Sequence, residues 1–210
     1  MGEIRDVVLV PGLWAPGVVM TPLAAFLRRA NLRCHLFDYA GRARPLAANA
    51  EALARQSKGI GPAHFVGHSL GGLVILEALN AHAEVAVGKA VLLGTAARGS
   101  VAARRFARLR FGRWLLGESE ALWREGRLAR WLRAEPLGVV AGSVPLGLGR
   151  ACGRLPGVND GVVCVEETSV EGMRERTVLP VSHSLMILSP RVAAGVKSFL
   201  AHARFPAERR

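Results

Sequence analysis

The sequence feature that most constrains the fold is the stretch Gly67-His68-Ser69-Leu70-Gly71-Gly72. An apolar run typical of a buried strand precedes it, and a run of leucine, valine and alanine typical of a helix follows it. Strand, Gly-x-Ser-x-Gly and helix, in this order, are typical of a sharp turn that presents a nucleophilic serine. The flanking Gly67 and Gly71 fit this interpretation, because side chains there would collide as strand and helix cross. The stretch predicts Ser69 as a nucleophile, and the alternative is a glycine-rich turn that contains a serine by chance.

Length and composition are compatible with one globular unit. The chain has 210 residues, 50% of them hydrophobic, which predicts a single domain over residues 1–210 with a sizeable core. No apolar stretch is long enough to span a membrane, and the N-terminal residues leave no room for a secretory signal before the first predicted strand. We therefore expect a cytoplasmic protein.

The three cysteines, Cys34, Cys152 and Cys164, are odd in number and scattered along the chain. This usage favours reduced thiols over disulfide bonds. None of them has a second cysteine or a histidine at the spacing of a metal site. We therefore expect neither a metal ion nor any other cofactor.

The formal net charge is +12 at pH 7 and comes almost entirely from arginine. Such a charge first suggests nucleic acid as a partner. The segment from Arg98 to Arg133, however, holds ten arginines and three glutamates, so the charge is concentrated in one part of the chain. No nucleic-acid-binding motif accompanies it. We therefore expect no nucleic-acid partner and assign this charge to a basic insert, residues 98–134.

Apolar runs typical of strands alternate with helical patterns along almost the whole chain. This alternation predicts parallel strands joined by helical crossovers, hence a three-layer α/β sheet of about six strands. The second strand, for its polar start, and the sixth, for Pro180, are expected at the edges. The predicted strands span residues 7–10, 33–39, 63–67, 89–93, 137–141 and 177–181. The predicted helices span residues 21–29 with Thr21 as the cap, 46–56, 70–82 and 190–203, and in the insert 101–116 and 120–132.

A serine hydroxyl is a poor nucleophile at neutral pH and needs a base, which in turn needs an orienting acid. In enzymes with this type of serine turn, the acid and then the histidine follow the serine along the chain. His183 follows the sixth predicted strand, in a loop at a carboxyl strand end where ligands meet an α/β sheet. His82 and His202 fit exposed helix positions instead. We expect His64 at the opposite end of the sheet and the side chain of His68 turned away from the serine, so His183 is the candidate base.

Asp160 is the only aspartate after Ser69, and it lies in the loop that follows the fifth predicted strand. This position makes Asp160 the candidate orienting acid. The tripeptide Asn159-Asp160-Gly161 also has the composition of an ordinary tight turn. Glutamate can hold the same role, so the alternatives are Glu166, Glu167 and Glu171.

Two backbone amides are needed to hold the negative charge that develops on the substrate oxygen. One belongs to the residue after the nucleophile, which is Leu70, and the other to the loop after the first strand. Pro11-Gly12-Leu13-Trp14 occupies that loop, and Pro11 has no N–H group to donate. Leu13 is therefore the second candidate for this oxyanion hole, and the alternative is that the loop is only a Pro-Gly turn.

With these motifs, the chain resembles the small bacterial lipase- and esterase-type α/β-hydrolases. The resemblance implies an α/β-hydrolase fold and a catalytic triad of Ser69, Asp160 and His183. In the family, a histidine usually stands where this chain has Pro11, and Thr-Pro-His usually stands near residues 95–98, which here read Thr-Ala-Ala-Arg. The segments that carry the resemblance are residues 10–14, 65–72, 92–95, 99–100, 155–163 and 180–183.

The resemblance also implies hydrolysis of carboxylic esters, with the basic insert as a helical cap over the site. The same machinery transfers acyl groups to alcohols or cleaves amides and thioesters, and the fold does not choose among these reactions. A catalytically inactive lipid-binding or interaction protein is an alternative of another class, which an intact Ser, Asp and His in the expected order disfavours. The candidates for lining the substrate site are Trp14, Phe106, Phe111 and Trp114.

Arginines alternate with aromatic side chains in the basic insert. Amphipathic helices that bury their apolar sides against the hydrolase core explain this pattern. The other interpretation is peripheral contact with an anionic membrane, in which arginines meet headgroups and aromatic rings enter the lipid. The expected partners are therefore a small-molecule or lipid ester and, in the second interpretation, a membrane surface. The aromatic residues concerned are Phe106, Phe111, Trp114, Trp123 and Trp131.

Overall fold

The computed structural model describes residues 3–119, 129–147 and 153–207. Six parallel strands form one sheet, which confirms the predicted α/β architecture of about six strands. The strands are β1 (Asp6–Val10), β2 (Arg33–Leu36), β3 (Ala63–His68), β4 (Val87–Leu93), β5 (Leu137–Gly142) and β6 (Glu175–Leu179). Their order across the sheet is β2-β1-β3-β4-β5-β6.

The helices of the described ranges follow the strands in alternation. They are α1 (Thr21–Arg28), α2 (Leu46–Ile60), α3 (Leu70–Ala81), α4 (Val101–Phe106), α5 (Gly112–Leu116) and α6 (Pro190–His202). Short 3₁₀ helices lie at Gly17–Met20, Gly117–Ser119, Val165–Thr168 and His183–Leu188. Among these described residues, no helix combines the length and the apolar composition needed to cross a membrane.

Helices cover both faces of the sheet, and β1 shows why its residues 7–10 form an unbroken apolar run. Val8 and Val10 pack with residues of α2 and α3 on one face. Val7 and Leu9 pack with residues of α1 and α6 on the other face. Because successive side chains of a strand point to opposite faces, a strand covered on both sides is apolar at every position. The sheet is therefore the middle of three layers.

The edge strands are β2 and β6, as predicted. β6 ends at Leu179, so Pro180 follows the strand instead of lying within it. The N–H group that proline lacks is therefore not missing from the hydrogen bonds between β5 and β6. β2 ends at Leu36, short of the predicted end at residue 39. The chain turns there, and the Asp38 carboxylate accepts a hydrogen bond from the backbone N–H of Gly17 at 2.6 Å.

The prediction that Thr21 caps the first helix is wrong. The 3₁₀ turn at Gly17–Met20 runs directly into α1, so that Met20 occupies the cap position with helical dihedral angles. Thr21 is the first helical residue and Pro22 stands in the first turn. A side-chain cap needs an extended residue before the helix, and the preceding turn leaves no place for one.

The basic insert forms shorter helices than the sequence predicts. A turn at residues 107–111 divides the predicted helix at 101–116 into α4 and α5. The chain doubles back there so tightly that a side chain at Gly112 would overlap the backbone carbonyl of Phe106. Of the second predicted helix, residues 120–128, which include Trp123, lie outside the described residues.

The end of that second helix, residues 129–132, is not helical, because its groups bond to other parts of the chain. Arg130 forms an isolated bridge with Glu171, and the Nε1 of the buried Trp131 donates to the carbonyl of Glu135 at 2.7 Å. The side chain of Arg133 is 13% exposed and donates to four backbone carbonyls at and after the C-terminus of α3. Part of the insert's charge therefore stabilises a helix end instead of facing solvent.

Candidate active site

Ser69 lies at the sharp turn between β3 and α3, with φ 55° and ψ −122°. This conformation is strained for a residue with a side chain and is characteristic of functional sites. A side chain at Gly67 would lie 2.6 Å from the backbone nitrogen of Gly72, and one at Gly71 would overlap the carbonyl oxygen of Pro11. The two glycines thus allow β3 and α3 to cross closely, and Ser69 remains partly exposed at the carboxyl end of β3.

His183 and Asp160, from two separate loops, meet in a buried hydrogen bond. The Nδ1 of His183 lies 2.7 Å from Oδ2 of Asp160, and the two residues are only 6% and 1% exposed. The other carboxylate oxygen of Asp160 accepts the backbone N–H groups of Val162 and Val163 at 2.9 and 2.7 Å. These amides hold the carboxylate in one orientation, so Asp160 fixes both the ring plane and the protonated nitrogen of His183.

Two glycines at the carboxyl ends of the central strands make room for this pair. A side chain at Gly94, which has φ +57°, would lie 3.0 Å from Nδ1 of His183 and 3.1 Å from Oδ2 of Asp160. A side chain at Gly142, the last residue of β5, would lie 2.7 Å from Cβ of Asp160. Ser69, Asp160 and His183 therefore gather at the carboxyl edge of the sheet, where parallel sheets place their ligands.

The tight-turn interpretation of Asn159-Asp160-Gly161 and the acid interpretation are both compatible with the geometry. Gly161 has φ +92°, and its N–H donates to the Asn159 side chain at 3.1 Å, as in an ordinary turn. The same turn directs the Asp160 carboxylate at His183. The geometry of a tight turn therefore does not prevent the Asp160 carboxylate from contacting His183.

The three competing glutamates have other partners. Glu166 pairs with Arg176, and Glu171 pairs with Arg130. Glu167 accepts the N–H of Val101 at 2.6 Å and that of Cys164 at 2.8 Å, and so ties the start of α4 to the loop that holds Asp160. Burial raises the pKa of Glu167 above its ordinary value. Asp160 alone among the four carboxylates is hydrogen-bonded to His183.

The sequence interpretation missed the contact between His68 and His183. The two rings lie 4.9 Å apart between centroids, and Nε2 of His68 lies 3.0 Å from the backbone carbonyl oxygen of His183. Burial lowers the pKa of His68 to about 3, so its ring is neutral and Nε2–H is the donor. The alternation of side chains along β3 could have predicted the side of the sheet on which this contact lies. Val66 packs toward α6, and His68, two residues later in the strand, lies on the same face of the sheet.

We expect His68→Leu to lower kcat for an activated ester roughly ten- to a hundredfold with little change in KM, because His183 loses the hydrogen bond that positions its backbone. His68→Gln retains a donor and should recover most of the loss. The measurement is steady-state kinetics on both variants, with His202→Leu on α6 as the control. Equal activity of His68→Leu and the unchanged protein would show that this contact does not position His183.

The loop after β1 lies directly against the serine. A side chain at Gly12 would lie 3.1 Å from Cβ of Ser69 and 3.2 Å from Nδ1 of His68. The hydroxyl of Tyr39 donates to the carbonyl of Pro11 at 2.9 Å and so helps to fix the loop. Leu13 is the next residue of this loop. Leu70 is the first residue of α3, so its N–H has no partner within the helix.

A groove of about 330 Å³ opens beside this loop. Of the four predicted substrate-lining residues, only Trp14 lines it. Phe106 contacts the edge of Trp14 at 6.3 Å between ring centroids, and Trp114 lies beneath Arg42. Phe111 lies beneath Arg110 and is 63% exposed, away from the lining. The lining residues are Gly12, Trp14, Ala15, Pro16, Asp38, Tyr39, Ala40, Gly41, Arg42 and Ala43.

Metal-ligating side chains do not cluster in the described part of the chain. No three of its histidine, cysteine, aspartate and glutamate residues lie close enough together to hold a metal ion. Cys34 and Cys164 are free thiols, and Cys152 lies outside the described residues.

Comparison with known proteins places this geometry in context. The model of the alpha/beta hydrolase family matches residues 7–199. No curated protein sequence is similar enough to count as a match.

Several solved structures have a similar backbone. A mature lipase of Bacillus licheniformis has a TM-score of 0.75 at 18% identity, over 98% of this chain and 94% of the lipase. A hydrolase of Pseudomonas aeruginosa PA01 has a TM-score of 0.68 at 18% identity, over 96% and 91% of the two chains. A monoacylglycerol lipase of Paleococcus ferrophilus has a TM-score of 0.62 at 14% identity, over 95% and 96%. At these identities, the likeness is one of fold.

Proposed function

We propose a function from the premise that this chain belongs to the alpha/beta hydrolase family. We infer that it is a serine hydrolase that cleaves carboxylic esters with Ser69, His183 and Asp160. The observation that carries the proposal is the buried 2.7 Å hydrogen bond between Asp160 and His183, at the sheet edge where Ser69 stands in a strained turn. The lipases and hydrolases with a similar backbone support an ester as the substrate.

In the first half of the reaction, Ser69 attacks the ester carbonyl while His183 removes the hydroxyl proton. Because Asp160 accepts the hydrogen on Nδ1, Nε2 is the nitrogen that receives the serine proton and then passes it to the leaving alcohol. Water repeats the sequence on the acyl-serine and releases the carboxylic acid. The buried carboxylate of Asp160 stabilises the imidazolium that forms in both halves.

The oxyanion that forms on the carbonyl oxygen is held by the amides of Leu13 and Leu70. Two features support this assignment. Tyr39 donates to the Pro11 carbonyl, and Gly71 approaches the same carbonyl closely, so both hold the loop before Leu13. The N-terminus of α3, where Leu70 begins, favours negative charge. Pro11 stands where the family usually has a histidine, and this difference does not remove the amide of Leu13 or of Leu70.

The same residues would transfer an acyl group to an alcohol or cleave an amide or a thioester, and these reactions are the alternatives within enzymes. An inactive lipid-binding protein is the alternative outside them. A fluorophosphonate probe distinguishes the last alternative, because only an activated serine reacts with it. Failure of the probe to label the chain would contradict the proposal. Rates over p-nitrophenyl esters from acetate to palmitate would then define the acyl chain length.

The basic insert supports a second, separate proposal, peripheral contact with an anionic membrane. Three large apolar side chains of residues 98–119, Leu109, Phe111 and Trp114, are 51%, 63% and 66% exposed. They lie among arginines, the combination with which helices bind lipid interfaces.

We expect sedimentation with anionic vesicles at low salt and much less with neutral vesicles or at high salt, because charge attraction is screened by ions. Phe111→Ser combined with Trp114→Ser should weaken binding, with Val18→Ser as a control for an exposed apolar residue elsewhere. Equal binding to both vesicle types, or binding to neither, would leave the insert as a plain substrate cap.

A further inference from the structure

The groove beside Ser69 carries one cationic and one anionic side chain. Of the ten described residues that line it, Arg42 and Asp38 alone are charged at neutral pH. Gly12, which also lines the groove, lies against Ser69, so one end of the groove is adjacent to the nucleophile candidate. The charges of these two side chains therefore influence which substrates the groove binds.

Arg42 is held in place from the basic insert. Its guanidinium carbon lies 4.4 Å from the centroid of the Trp114 ring. Its backbone carbonyl accepts the N–H of Glu118 at 3.1 Å, and a side chain at Gly117 would overlap that same carbonyl. An arginine stacked on an aromatic face keeps its charge and all its donors, and it loses less freedom when it binds an anion.

The charge balance around the groove favours anions. Within the described part of the chain, Arg42 forms no ion pair with a carboxylate, whereas Asp38 already accepts the N–H of Gly17 at 2.6 Å. The neighbouring described residues 98–119 contain six arginines and one carboxylate, Glu118. A surface with an excess of one charge next to a cleft raises the local concentration of ligands of opposite charge.

We propose that this groove selects esters bearing an anionic group, a carboxylate or a phosphate, and that Arg42 binds that group. The inference rests on the proposed ester hydrolysis and names its substrate class. The anionic group occupies the end of the groove at Arg42 while the ester carbonyl lies between Ser69 and the Leu13 and Leu70 amides. Stacking on Trp114 holds the guanidinium at the groove, where no carboxylate of the described residues forms an ion pair with it.

The test compares matched esters that differ by one anionic group. The first pair is p-nitrophenyl butyrate and mono-p-nitrophenyl glutarate, which adds a carboxylate on the acyl side. The second pair is monobutyrin and its glycerol 3-phosphate analogue, which adds a phosphate on the alcohol side. We expect kcat/KM to favour the anionic member of at least one pair by about tenfold at low salt, and this preference to shrink as salt rises. The pair that responds identifies the anion.

In Arg42→Gln, the ratio of anionic to neutral kcat/KM should fall about tenfold, the size of one charge interaction at a partly exposed site. Arg42→Lys should retain part of the ratio. Arg44→Gln, an exposed arginine of the same loop outside the lining, should leave it unchanged. Turnover of neutral esters with no anionic preference, or a preference that survives Arg42→Gln, would overturn this inference and leave ester hydrolysis standing. No turnover of any ester, with no fluorophosphonate labelling, would instead remove the proposed function.

Discussion

Ser69→Ala is expected to lose ester hydrolysis by a factor on the order of a million and to lose all labelling by a fluorophosphonate. The change removes only the hydroxyl oxygen and retains Cβ, so the turn between β3 and α3 keeps its packing. The activity that remains would come from the oxyanion amides and substrate binding alone. Steady-state kinetics and mass spectrometry of the labelled protein measure both effects, and circular dichroism verifies the fold.

The matched control for Ser69→Ala is Ser184→Ala. Ser184 is an exposed neighbour of His183 in the chain, and we assign it no part in the reaction. Its variant should label and turn over like the unchanged protein. If Ser69→Ala still labels, at Ser184 or at any other serine, Ser69 is not the nucleophile.

Asp160→Asn is expected to lower kcat roughly ten-thousandfold, the second largest effect. The Asn oxygen retains the N–H groups of Val162 and Val163, which leaves the amide –NH₂ facing Nδ1 of His183. Since that group donates, His183 must carry its proton on Nε2, and a protonated Nε2 cannot accept the proton of Ser69. The loss should appear in kcat with KM nearly unchanged, because geometry and binding are preserved.

The competing carboxylates supply the controls for this prediction. Glu166→Gln changes an exposed side chain that pairs with Arg176, and its activity should stay near that of the unchanged protein. Glu167→Gln should lower stability more than kcat, because the carboxylate bonds to backbone amides and not to His183. A nearly active Asp160→Asn together with an inactive Glu167→Gln would transfer the role of the acid to Glu167.

The sequence alone predicts the sheet well, because strand and helix patterns are local. Residues 7–10 of β1 are covered on both faces and therefore form an unbroken apolar run, and β3 is followed at once by the serine turn and α3. Chain order and the scarcity of aspartate also single out His183 and Asp160 as candidates, and the structure brings these two residues into contact. Each of these predictions depends on residues that are neighbours in sequence or on the order of a few rare residue types.

Tertiary structure decided the features that depend on packing between distant segments. Strand alternation places His68 on the face that α6 covers, but its bond to His183 joins residues 115 positions apart, and no local pattern identifies that partner. The helices of the basic insert are short because Gly112 folds back on Phe106 and Trp131 is drawn into the core, so tertiary contacts override helical periodicity. Arg133 and Arg42 have the same charge in the sequence. In the folded protein, Arg133 packs against the end of α3, whereas Arg42 stacks on Trp114 at the groove. Only tertiary structure separates the two, because hydrogen-bond partners and ring contacts are set when strands and helices pack together.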